Sequence, residues 1–216
     1  MSRPPAETLT LAGLADRARA LSAGSDRTLI GIVGPPGAGK STVAEALVHQ
    51  LGSDAVLVPM DGFHLSNEVL ETLGRRDRKG APDTFDADGY IALLRRLRQQ
   101  VDEIVYAPAF RRDIEEPIGS STPVPRATPI VVTEGNYLLL DTQPWKLIRD
   151  LLDSTWYLEV DETVRLERLI ARHVAFGKAP DAARAWAEGS DQANAATIAE
   201  SSRYADLLLR LAPTAT

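Results

Sequence analysis

The stretch Ile32–Thr42, "IVGPPGAGKST", starts as the end of an apolar run and finishes as the start of an amphipathic one. Gly34, Gly39, Lys40 and Ser41 fit the spacing G-x-x-x-x-G-K-[ST], with Pro35, Pro36, Gly37 and Ala38 inside the loop and Thr42 just behind it. Glycines allow successive backbone N–H groups to face one point, and a helix N-terminus behind them favours anionic oxygens. At these positions a lysine suits the β and γ groups of a nucleoside triphosphate, and a hydroxyl suits its Mg²⁺. The plain alternative is a flexible glycine turn ahead of a helix. A β-rich run before the loop and a helical period after it weigh against that.

Outward from this loop, "RTLIGIVG" predicts a strand and "STVAEALVHQL" a helix, with Val43, Leu47 and Leu51 on one face. "AVLVPMDG" predicts a second buried strand, stopped by the turn pair Asp61-Gly62. "PIVVTEG" and "STWYLEV" predict a third and a fourth. "YADLLLRL" fits a fifth strand, with helix left open for so short a run. Helices are expected over residues 1–25, where Leu11, Leu14, Ala18 and Leu21 share a stripe, and over "DADGYIALLRRLRQQ", "WKLIRDLLD" and "DETVRLERLIARHVAF". Asp86 or Asp88 is available to cap the second of these. Between Val105 and Pro129, five prolines argue against a central strand or a long helix and predict an excursion at the sheet's edge. "LGRRDRKGAPDTFD" has the glycine and proline content of a functional loop. Strands alternating with helices imply an α/β fold, a doubly wound and mostly parallel sheet with helices on both faces and ligands at its carboxyl edge. One domain over 1–216 is expected, with a movable lid over 161–190.

The chain has 216 residues and a formal charge of −6. Its pI is near 5.2, so nothing draws it as a whole to a nucleic-acid backbone or an anionic membrane. "RRDRKG", Arg75–Gly80, is the one basic cluster, and it lacks the interleaved aromatics of a single-strand binder. The chain has no cysteine, which excludes thiolate metal sites and a cysteine nucleophile. Asp16, Arg17 and Arg19 interrupt the N-terminal apolar residues, so neither a signal peptide nor a membrane span is expected, and the cytoplasm is the expected compartment.

The chemistry-bearing residues gather at predicted strand ends. Glu134 ends "PIVVTEG", where an acid can help to place Mg²⁺, with Thr133 available for a share; a turn acid is the plain alternative. Asp61 ends the second strand, and a carboxylate there repels phosphate unless it serves another purpose. Accepting a proton from an attacking hydroxyl is such a purpose. Arg165, Arg168 and Arg172 lie on one helical face, opposite Leu166, Leu169, Ile170 and Val174. They suit either a solvated face or a lid hinged at Gly177 and Pro180 that offsets charge on phosphates. His64, Tyr106, Phe110, Arg111, Arg112, Tyr137 and Trp186 are candidates to line an acceptor pocket.

These pieces together resemble a family. "GPPGAGKST", "VPMDGFHLSN", "RKGAPDTFD", "VYAPAF", "VVTEGNYLLL", "RLERLIARH" and "GSDQANAATI" are similar, in this order from about Leu29 to Leu209, to the phosphoribulokinase, uridine kinase and pantothenate kinase superfamily of P-loop kinases. The resemblance is nearest to bacterial nucleoside/nucleotide kinase-like proteins labelled fructose transport system kinases. It implies a P-loop NTPase fold with a small helical lid, ATP and Mg²⁺ as cofactors, and transfer of the γ-phosphoryl group to a hydroxyl of a nucleoside, sugar or pantothenate-like acceptor. It also implies Asp61 as the base or hydroxyl-orienting group, Ser41 and Glu134 at the metal, Arg168 and Arg172 at the phosphates, and Arg78 and Lys79 near the acceptor. "DGFH" departs from the uridine kinase form "DSFY", and the longer substrate segments of pantothenate kinases are missing. The expected partner is a small-molecule hydroxyl acceptor, with no nucleic acid and no membrane; a homodimer stays open. Two other classes, a nucleotide-hydrolysing switch and an idle nucleotide sensor, are kept in view, although no N-K-x-D or L-S-G-G-Q motif is present.

Overall fold

The computed structural model describes residues 4–212, apart from the side chain of Ser190. Its strands in chain order are β1 (Ala6–Leu9), β2 (Thr28–Val33), β3 (Ala55–Leu57), β4 (Ile104–Arg111), β5 (Glu116–Pro125), β6 (Ile130–Gly135), β7 (Ser154–Leu158) and β8 (Leu207–Leu211). The α-helices are α1 (Leu11–Ser22), α2 (Lys40–Leu51), α3 (Asn67–Thr72), α4 (Ala87–Arg98), α5 (Glu162–Ala175), α6 (Pro180–Glu188) and α7 (Ser190–Ser201).

Six strands pair in parallel in the order β1-β8-β7-β2-β6-β3. Successive side chains of a strand point to opposite faces, and the core divides accordingly. Ile30, Ile32, Val132 and Trp156 face α1 and α2, meeting Leu14, Ala18, Val43 and Leu47. Leu29, Val33, Val131 and Tyr157 face the other way, toward Tyr90, Ile91, Leu94 and Leu97 of α4. Both faces are covered, which is why β2, β6 and β7 are buried at every position. The structure is the P-loop NTPase α/β fold.

Several expectations are corrected. The N-terminal helix is shorter than residues 1–25, because Ala6–Leu9 pair with Leu208–Leu211 as an edge strand before Thr10 caps α1. Residues 1–3 and 213–216 lie outside the described residues. "WKLIRDLLD" forms two 3-10 turns, Trp145–Leu147 and Arg149–Leu151, rather than one α-helix. β3 is short, half-buried and at the sheet's edge, so Asp61 stands in a 3-10 turn, Met60–Phe63, and not directly at a strand tip. The proline-rich segment, expected as an excursion at the sheet's edge, is an antiparallel ribbon of its own, β4 with β5. In a two-stranded ribbon each strand has an unpaired side, so prolines can occupy it without breaking a ladder. Pro108 falls where the register shifts between Ala107 and Ala109. "YADLLLRL" resolves to strand β8 preceded by a 3-10 turn, and Asp86, not Asp88, caps α4 through the Gly89 N–H at 2.9 Å.

Candidate active site

Parallel register brings three strand ends to one edge. Ile32 pairs with Glu134 and Val33 with Gly135, so the phosphate-loop sequence leaves β2 beside the acid that ends β6. The loop turns at Gly37 (φ 84°) and Gly39 (φ 92°), a region in which a side chain is strained. Gly37 is also crowded: a Cβ there would stand 2.6 Å from the Arg165 carbonyl oxygen. The loop therefore packs directly on α5.

Lys40 opens α2 and is buried, its Nζ donating to Asn136 Oδ1 at 2.7 Å and to the Pro35 carbonyl at 3.2 Å. Burial pushes its ammonium down to about 8, against the opposing pull of Glu134 and Asp61. Ser41 Oγ donates to Glu134 Oε1 at 3.0 Å. The Glu134 carboxyl is pushed up to about 7, first by burial and then by Asp61, with Lys40 acting the other way. Two hard oxygen donors beside a second acid suit a divalent cation such as Mg²⁺. Among the described residues no group of three or more His, Cys, Asp and Glu side chains encloses a metal. Ser41 and Glu134 would therefore share the ion with water and phosphate oxygens, as Mg²⁺ prefers. Thr133 takes no part: its buried hydroxyl donates to the Val58 carbonyl at 2.6 Å and accepts from Tyr90 at 2.5 Å.

Asp61 faces this group from the turn after β3, near enough to act on Lys40 and Glu134, with 29% of its side chain exposed. Arg112 Nη2 lies 3.7 Å from its Oδ2. His64 packs at a tilt against Phe85 (4.0 Å between centroids) and Phe110 (4.7 Å), and its Nδ1 is 2.9 Å from the Asp61 carbonyl oxygen. A carbonyl only accepts, so Nδ1 carries the proton and Nε2 is left as an acceptor in the neutral ring. Burial keeps His64 below the ordinary histidine range. Lys79 lies 5.2 Å from the Phe110 ring centroid and donates to Asn67 Oδ1 and the Glu115 carbonyl.

The structure does not bring the remaining candidates to this point. Arg78 is exposed and held by Asp83 through two bonds. Tyr106 points outward from the ribbon, 54% exposed. Tyr137 is a core side chain between Phe85 and Trp145, its hydroxyl donating to the Gly80 carbonyl at 2.5 Å; it anchors the basic loop. Trp186 lies under Lys178 on α6.

The three arginines of α5 part company. Arg165 is 1% exposed and donates to the Pro36 carbonyl (3.0 Å), to both Glu162 oxygens and to Gln192. It fastens the phosphate loop to α5. Arg168 is near Gly39, whose Cβ would stand 3.7 Å from its Nη1. Arg172 is largely desolvated, its guanidinium pushed down by burial and by Arg112, while Asp191, Asp61 and Glu134 pull upward. On the flank bordered by Gly39, Thr42, Arg168, Ala195 and Leu211 a cleft opens, which Asp61, His64 and Arg112 do not line.

Asn136 was not among the expected residues, although "EGNY" places it two positions past Glu134 at the same sheet edge. Asn67, Glu115 and Glu116 were not either, because their role is set by contacts between segments about 48 residues apart.

A sequence model described as the phosphoribulokinase / uridine kinase family matches residues 29–216. A Schizosaccharomyces pombe protein labelled a uridine kinase is 38% identical over 173 residues, 76% of this chain and 74% of its own. YggC of Escherichia coli is 33% identical over 190 residues, 86% of this chain and 78% of its own. A crystal structure from Silicibacter sp. TM1040, labelled a fructose transport system kinase, superposes with a TM-score of 0.80 at 38% identity, covering 93% of this chain and 98% of that one.

Proposed function

The chain belongs to the phosphoribulokinase/uridine kinase family of P-loop kinases, and from that membership we propose that it transfers the γ-phosphoryl group of ATP to a hydroxyl of a small molecule, with Asp61 as the group that receives or orients the hydroxyl proton. The observation that carries this reading is the position of Asp61, across from Lys40 and Glu134 at the open carboxyl edge of the sheet.

The loop N–H groups, which Pro35 and Pro36 lack, and the Lys40 ammonium hold the phosphates. Ser41 and Glu134 would hold Mg²⁺, which would supply positive charge against the phosphates. The acceptor oxygen forms a bond to the γ-phosphorus as the bond to the β–γ bridging oxygen breaks, ADP leaves, and the hydroxyl proton passes to Asp61. Arg168 and Arg172 offset the charge that spreads over the transferring group. The cleft beside Gly39 and Thr42 takes the nucleoside, and the side lined by His64, Phe110 and Arg112 takes the acceptor. The lid proposed for 161–190 corresponds to α5 and α6, joined through Gly177 (φ 92°). Among the described residues no helix is long and apolar enough to cross a membrane.

An ADP-release screen over nucleosides, sugars and pantothenate analogues, run on the wild type and Asp61→Asn, tests the reading. One acceptor should strongly stimulate turnover in the wild type, and the substitution should abolish that stimulation while nucleotide affinity stays within a few-fold. Equal stimulation of both proteins removes Asp61 from the role.

A further inference from the structure

The cations of the basic loop and of the β4–β5 turn differ in how they are held. Arg78 makes bonds of 2.5 and 2.7 Å to the two Asp83 oxygens. Arg111 makes bonds of 2.8 and 2.6 Å to Asp113. Lys79 spends its ammonium on Asn67 Oδ1 (2.7 Å) and the Glu115 carbonyl (2.5 Å). Arg112 has only the 3.7 Å ion pair to Asp61, beyond hydrogen-bond reach, with 42% of its side chain open to solvent. Its guanidinium is also near enough to act on Lys40, Glu134 and Arg172.

Its position is built rather than incidental. Arg112 sits in the turn between β4 and β5. That turn is tied down by Glu116, whose carboxylate accepts from the Asn67 N–H at 3.0 and 3.2 Å, and by Lys79 on Glu115. The ribbon crosses Asp61 so closely that a Cβ on Gly62 would lie 2.5 Å from the Pro108 carbonyl oxygen. Arg172 approaches from α5, Arg112 from the ribbon, and neither guanidinium has a hydrogen-bond partner among the described residues. Two planar guanidiniums that repel across a shared space favour an anion between or beside them. Arg172 lies on the phosphate-loop side. Arg112 lies on the side of His64 and Phe110, where the acceptor enters.

We propose that Arg112 binds an anionic group, carboxylate or phosphate, carried by the acceptor itself, so that the acceptor is a hydroxylated anion rather than a neutral nucleoside or sugar. This rests on the kinase reading above. Pairing with that group draws Arg112 away from Asp61 and leaves the carboxylate free for the reacting hydroxyl. His64 Nε2, an acceptor in the neutral ring, takes a second hydroxyl of the same molecule. A neutral acceptor leaves the Arg112–Asp61 pair in place and the base occupied.

Matched probes test this on the full chain: glycerol against glycerate and glycerol 3-phosphate, ribose against ribose 5-phosphate, and pantothenyl alcohol against pantothenate. ADP release is measured for the wild type, Arg112→Gln and Arg112→Lys, and calorimetry with ADP and Mg²⁺ follows binding. In at least one set the anionic member should exceed the neutral one by about tenfold or more in kcat/KM, the scale of one charge-assisted pair. Arg112→Gln should erase that preference through the acceptor KM with the KM for ATP unchanged, and Arg112→Lys should restore part of it. The winning member separates carboxylate from phosphate. The proposal is overturned by a wild type that binds none of the anions, by a preference unchanged in Arg112→Gln, or by a loss in kcat that is equal for charged and neutral acceptors. Arg112-dependent anion binding without phosphoryl transfer sinks the kinase reading alone, and transfer indifferent to Arg112 sinks this proposal alone.

Discussion

The Pro108 carbonyl carbon lies 2.8 Å from the point where a Cβ on Gly62 would stand. No side chain fits there, so the absence of one lets the β4–β5 ribbon lie directly across the turn that carries Asp61. The ribbon brings Phe110 against His64 and Arg112 against Asp61, and both contacts depend on that approach.

Gly62→Ala should therefore lift the ribbon off the turn. Overpacking of this kind costs about 1–3 kcal/mol, so the protein should still fold, with a melting temperature several degrees lower. Its kcat/KM for the acceptor should fall by about tenfold or more while ATP affinity holds. Thermal melts paired with steady-state kinetics check this. Unchanged kinetics would show that the ribbon does not shape the acceptor side.

Glu134 is a buried acid whose charged form is opposed by burial and by Asp61. Glu134→Gln keeps an acceptor for the Ser41 hydroxyl and removes the charge. Without nucleotide at pH 8, its melting temperature should exceed the wild type's by roughly 2–4 °C for each kcal/mol relieved. ADP formation should drop by about a hundredfold or more, since the substitution removes a preorganised charge. A variant both less stable and fully active contradicts the assignment.

Arg165 and Arg168 separate structure from chemistry. Arg165→Ala removes the donor to the Pro36 carbonyl and a fully buried side chain, which should cost about 1–3 kcal/mol and loosen the phosphate loop. Arg168→Ala should leave stability within about 0.5 kcal/mol and lower kcat instead. Denaturant melts and ADP-release rates on the two variants distinguish these effects. Reversed behaviour would exchange the two roles.

His64 gives a pH dependence with a defined sign. The unfolded imidazole takes up its proton near pH 6.5, while burial holds the folded one below that value. The unfolded state thus binds more protons between 6.5 and the folded value. Stability is fully present above about 6.5 and falls as the pH is lowered through that window. The melting temperature of His64→Gln should decline less than that of the wild type between pH 7 and 5.5. Parallel declines would show that His64 is not the group responsible.

Much of the site was legible because its signals are local. A glycine loop, Lys40 and Ser41 between a β-rich run and a helical period announce a phosphate cradle within a dozen residues, and Glu134 is marked by the apolar strand it ends. Arg165 was not legible in the same way. The helical period grouped it with Arg168 and Arg172, and the apolar residues opposite promised to be the buried face. In the structure Arg165 and Leu169 are the buried residues of α5, and Val164 and Val174 are exposed.

Local pattern alone specified the strand–loop–helix unit, the parallel α/β layering and Glu134 at the end of its strand, since these follow from backbone hydrogen bonding and side-chain periodicity over short windows. Long-range packing settled the rest: Ala6–Leu9 as an edge strand, Asp61 in a 3-10 turn rather than at a strand tip, the prolines as a ribbon over that turn, and Asn136 as the partner of Lys40. Those outcomes depend on partners distant in the chain, whose pairing rewards are set by what else is buried at the same place, and no local pattern encodes that.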